Sequence, residues 1–121
     1  MTDNANTGKV TLAPDVLLTI ARMAALDVEG VSRMAPAKAN VSRLLRRTEV
    51  DGVDVEVEDD VIYVELCLIL KQDVNVRDVS RNVQAYVTRA VSEMVGMEVG
   101  HVNVHIEDID YPAEGDQDEE A

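Results

Sequence analysis

The sequence predicts an α+β fold. It is a two-layer α/β sandwich in which a small mixed sheet carries two long helices on one face and leaves the other face open. Three observations predict it. Val76, Val79, Val83, Tyr86, Val87, Ala90 and Met94 recur at three- and four-residue intervals, the apolar stripe of a helix that stops at Gly96. Val102, Val104 and Ile106 then alternate with His101, Asn103, His105 and Glu107, a strand with one wet side. Upstream, Val53, Val55 and Val57 alternate with Asp54, Glu56 and Glu58, and a second β-rich run follows after Asp59-Asp60.

Taken in order, residues 1–8 are polar and read as a disordered lead, and residues 9–12 read as a short strand. Pro14 suits the first turn of a helix, where its missing N–H would have no partner. That helix, residues 14–27, turns Leu17, Ile20, Ala21, Ala24 and Ala25 to one side, and Glu29-Gly30 ends it before a short strand over residues 31–34. Residues 35–48 read as a loop with one or two helical turns. A two-residue turn at Asp59-Asp60 sets the hairpin register: Val57 faces Ile62, Val55 faces Val64, and Val53 faces Leu66, all on one face. The same register puts Asp54 opposite Glu65, and like charges so placed favour a face open to water or a partner. Asn75 is a good N-cap for the long helix, with Asp78 three residues on. The final strand belongs beside the long hairpin strand after a helical crossover. The domain spans residues 9–110, and the acidic residues 111–121 read as a disordered tail.

Composition narrows the function. One domain with a real core is expected from 121 residues. With 2% aromatic residues and no Phe or Trp, the chain has few platforms for stacking bases or sugars. A formal net charge of −13 opposes non-specific attraction to nucleic acid or anionic lipid. The single cysteine, Cys67, excludes an intrachain disulfide. No apolar run approaches the roughly 20 residues that span a bilayer. If the protein works at a membrane, something else must hold it there.

Three blocks carry a family resemblance: "GKVTLAPDVLLTIARMAALDVEGVSRM", "VDGVDVEVEDDVIYVEL" and "NVRDVSRNVQAYVTRAVSEMVGMEVGHVNVHIEDI". They hold a Val-x-Gly-Val junction at residues 28–31, a Gly-Val-x-Val hairpin start at 52–55, and a long closing block at 83–106. This pattern resembles the alkaline shock proteins, small bacterial envelope-stress proteins. The resemblance implies a non-catalytic cytoplasmic protein of cell-envelope homeostasis. Such a protein self-associates and is held at the membrane by an anchored partner, with no cofactor and no active-site residues to carry over. The middle segment here is arginine-rich, where many members are glycine- or lysine-rich.

Several residues invite chemistry. His101 and His105 resemble metal ligands. Four strand residues span roughly 13 Å, whereas one ion needs both nitrogens within about 2.1 Å, so a polar strand face is expected and no metal. The acids at 54, 56, 58, 59, 60 and 65 lack the Gly turn and closing Glu of a calcium loop, and they read as a solvated face. A nucleophilic Cys67 would need a nearby base; a His from the neighbouring strand could come close, but nothing in the sequence orients it, and Cys67 reads as a small, half-buried strand residue. The basic segment stands out in so acidic a chain. Arg33, Lys38, Arg43, Arg46 and Arg47, with Leu44 and Leu45 beside them, form a candidate partner-docking site, against the alternative of a mobile solvated loop. Arg77 and Arg81, with Gln84 and Thr88, form a polar ridge on the long helix, either a second docking contact or a solvated face.

The expected function is a self-associating scaffold or adaptor docked on a protein partner that is itself membrane-anchored. The alternatives are an RNA-binding or regulatory module using residues 33–47, which the net charge opposes, and a subunit for a small acidic ligand. No motif supports a reaction class.

Overall fold

The computed structural model describes residues 7–36 and 51–111. Helix α1 is Pro14–Leu26, β1 is Val31–Met34, β2 is Val53–Glu58, β3 is Val61–Lys71, α2 is Val76–Val95 and β4 is Glu98–Asp110. The four strands form one mixed sheet built on β3. β4 runs parallel to it along one edge. β1 and β2 both run antiparallel to β3 along its other edge, end to end. The junction between them is at Cys67, whose carbonyl accepts from Ala35 N at 2.9 Å while its own N–H donates to Gly52 O at 2.8 Å.

Hairpin β2–β3 has the register that parity and turn length require: Val53 pairs with Leu66, Val55 with Val64 and Val57 with Ile62. Asp59 and Asp60 take φ of 52° and 67°. A type I′ turn needs positive φ at both central residues, and Asp tolerates that region without being Gly. Helix α2 starts where Asn75 Oδ1 accepts from Asp78 N at 2.9 Å and stops at Gly96, whose φ of 79° is left-handed.

Ile62, Val64, Leu66, Leu68 and Leu70 of β3 point into one layer with Leu17, Leu18, Ala21, Ala24 and Ala25 of α1 and Val79, Val83, Val87 and Val91 of α2. Both helices therefore cover the same face of the sheet. The alanines of α1 allow close approach to the layer beneath. Tyr63, Glu65 and Cys67 have the opposite parity and lie on the open face.

The structure corrects three expectations. Residues 9–12 form no strand, since alternation gives a preference for extended backbone but no strand of the sheet pairs with them. The buried line of α2 is Val79, Val83, Val87 and Val91, while Val76, Tyr86 and Met94 remain 42%, 39% and 70% exposed. A helix stripe wider than its contact leaves its flanks uncovered. Gln84 is not simply a solvated ridge residue, since its Nε2 donates to Val102 O of β4 at 3.0 Å. Lys38, Arg43, Leu44, Leu45, Arg46 and Arg47 lie outside the described residues, as do the lead up to residue 6 and the tail beyond Tyr111.

Candidate functional site

Two surfaces combine exposure with organised chemistry. The first is the open sheet face. Parallel pairing sets Tyr63 beside His101, Glu65 beside Asn103 and Cys67 beside His105. Glu65 is the hub. Its Oε1 lies 2.8 Å from His105 Nε2, and its Oε2 accepts from Asn103 Nδ2 at 2.7 Å and lies 3.8 Å from His101 Nε2. The Tyr63 and His101 rings tilt at 53° with centroids 4.8 Å apart. This stacking depends on Gly100, an extra residue of β4, since a Cβ there would fall 2.3 Å from Tyr63 Cε1.

The two histidines that sequence reasoning kept apart thus converge on one carboxylate from the neighbouring strand. The carboxylate turns towards β4, which relieves the repulsion expected from Asp54 opposite. Burial of Glu65 works against its charge, but the bonds from His105 and then Asn103 outweigh it and hold the carboxyl below its ordinary value. A general acid needs the reverse, a pKa raised by its pocket. Asp54, Glu56, Glu58, Tyr63, Glu65 and His101 line a shallow cleft of about 290 Å³. Cys67 is half-buried on the same open face. Among the described residues, no group of three or more His, Cys, Asp or Glu could hold a metal ion.

Because the folded pKa of Glu65 is lowered, its contribution to stability is fully present above the ordinary value of 4.5 and is lost as pH falls through the lowered one. The Glu65 side chain is 42% exposed, so solvent screening keeps this below about 1 kcal/mol. Glu65→Gln is expected to lower the urea midpoint at pH 7, with the gap narrowing as pH falls below 4.5. A gap that did not narrow would contradict this account.

The second surface is an apolar groove between the helices, about 450 Å³, lined by Ile20, Met23, Leu26, Tyr86, Ala90 and Met94 among others. Met23 is 59% exposed. At the end of α1, Tyr86 Oη donates to Asp27 Oδ2 at 2.8 Å and ties the two helices together; that bond and the Asp27 charge push the phenol pKa up. Sequence reasoning placed Tyr86 and Met94 in the core stripe and missed the groove. Its signal was a helix carrying more apolar positions than one seam can bury.

Of the basic candidates, Arg33 lies on β1, and its Nε donates to Asp110 Oδ2 at 3.2 Å, where Ser32 Oγ donates at 2.7 Å. Those two bonds, Ser32 first, hold the Asp110 carboxyl below its usual range. They cross β3 at Ile69, which is buried without joining the helix-side core. Arg77 and Arg81 are exposed on the first turns of α2, in the other layer.

No helix among the described residues is long and apolar enough to cross a membrane. The chain is similar to several proteins described as uncharacterized, YqhY and Spy1614 among them. YqhY of Bacillus subtilis is 29% identical over 111 residues, covering 90% of this chain and 82% of that protein. Spy1614 of Streptococcus pyogenes is 30% identical over 110 residues, covering 88% of this chain and 91% of that protein. Among solved structures, a copper form of MamM CTD matches with a TM-score of 0.51 at 12% identity, covering 79% of this chain and 98% of that one. A nickel form matches with a TM-score of 0.50 at 13% identity, covering 78% and 96%. At such identity the likeness is one of fold. Residues 2–111 match the family model described as having a cell envelope-related function. The chain therefore belongs to the alkaline shock protein 23 family.

Proposed function

We propose that this protein is a non-catalytic, self-associating scaffold of cell-envelope homeostasis. It works in the cytoplasm, at the inner face of the membrane, by docking on a membrane-anchored protein partner. The observation that carries the reading is the interhelical groove. Its wall includes two flexible methionines and a tyrosine left in water, a surface that adapts to an apolar helix face. Exposed apolar surface of this kind marks protein–protein contact in soluble domains. The occupant is an amphipathic helix of the partner. Lys38, Arg43, Arg46 and Arg47, with Leu44 and Leu45, supply a further contact for acidic residues on that partner, together with Arg77 and Arg81. Arg33 contributes less, since Asp110 already engages it. The family's envelope-related function fits this role, and the pKa of Glu65 moves away from acid catalysis.

The test is photo-crosslinking in the native host from a reactive residue placed at Met23, with identification of the attached protein. A single membrane-embedded partner is expected. Met94→Glu in the crosslinking chain should reduce its capture at least tenfold, since a charge buried in an apolar contact costs well over 1.4 kcal/mol. Capture insensitive to Met94→Glu, or only of soluble proteins, would overturn the proposal.

A further inference from the structure

Residues 9–12, Lys-Val-Thr-Leu, have the alternation of a strand but sit outside the sheet. Val10 is 95% exposed and Leu12 42% exposed. The sheet meanwhile has outer edges with no strand partner among the described residues, and they differ in kind. β4 carries extra residues at Gly100 and Glu107, and Gln84 occupies the carbonyl of Val102. Bulges and blocked carbonyls are how an edge is kept from pairing with other chains. β1 has four residues and its own extra residue at Ser32. β2 has neither device: Val53–Glu58 runs in unbroken register with β3. It also leaves apolar surface uncovered, with Val57 46% exposed and Val55 half-buried. On its other face stand the exposed Glu56 and Glu58, complementary in charge to Lys9.

We infer that residues 9–12 of one copy add as a strand to the β2 edge of a second copy. Val10 and Leu12 cover Val55 and Val57, and Lys9 and Thr11 lie beside Glu56 and Glu58. Main-chain bonds supply affinity and the alternating side chains supply register. In the free chain the same residues lie off the sheet, joined to Pro14 of α1 through Ala13 alone.

The inference rests on the self-association in the scaffold reading and names the surface responsible. Sedimentation of the full chain should show dimers or larger species at micromolar concentration. Val10→Asp/Leu12→Asp should give monomers with unchanged circular dichroism, because neither residue belongs to the buried core and Val10 is 95% exposed. Assembly that survives this double variant would overturn the arm assignment and leave self-association standing; a natural protein that is monomeric would overturn both. A Cys67→Ser/Thr11→Cys/Glu56→Cys chain, oxidised, should run as a covalent dimer on a non-reducing gel. A disulfide within one chain, or none, would overturn pairing between copies.

Discussion

Leu66→Ala is expected to remove about 2–5 kcal/mol of folding free energy, a large part of the ~5–15 kcal/mol typical of a domain. Leu66 is 0% exposed, at the middle of β3, with Val53 and Val104 as its strand partners. The fully buried side chains of its layer are all Val, Leu, Ile and Ala, with Met34 and Met97 only at the margin. Such a core has no large ring that could shift to fill the void, so the cavity term is retained in addition to the lost burial. The measurement is urea unfolding: the midpoint should fall sharply at constant slope. Val57→Ala, at a 46% exposed position of the same hairpin, should change stability by about 0.5 kcal/mol or less. Equal losses at the two positions would refute the placement of the core under the middle of β3 and away from the β2 edge.

Gly52→Ala is expected to cost about 2 kcal/mol or more, and the comparison with Gly96→Ala separates the causes. Both glycines are left-handed, with φ of 74° at Gly52 and 79° at Gly96. An L-residue in that region costs roughly 1–2 kcal/mol. At Gly96 an added Cβ meets nothing within 4 Å, so that strain is the whole cost. At Gly52 the Cβ would stand 2.7 Å from the Cys67 carbonyl oxygen and 2.9 Å from Met34 Cβ. The first of those atoms is backbone at the centre of the sheet and cannot swing aside. Moving it disturbs the junction where β1 and β2 meet on β3. The midpoint for Gly52→Ala should therefore fall clearly below that for Gly96→Ala. Equal midpoints would show that the close approach at Cys67 is not a constraint.

The surfaces that carry the functional reading were harder to anticipate than the scaffold. The Glu65 hub depends on the β3–β4 register. Extra residues at Gly100 and Glu107 set that register, and no local pattern marks a residue as extra until its partner strand is known. The groove depends on which flank of the α2 stripe meets α1. Tyr86 and Met94 read as core because sequence periodicity reports a face and not the width of its contact. Residues 9–12 read as a strand because alternation reports preference, while pairing is decided by the rest of the fold.

What the chain determined unaided was its local order. The Asn75 and Gly96 boundaries of α2, the Asp59-Asp60 turn and the β2–β3 register all follow from capping, turn chemistry and two-residue parity, which act over a few residues. Only the tertiary structure decided that two histidines meet one carboxylate, that an apolar seam stays in water, and which edge strand keeps an unbroken register. Those outcomes depend on contacts between segments tens of residues apart, where shape and register select among arrangements that the local pattern leaves equal.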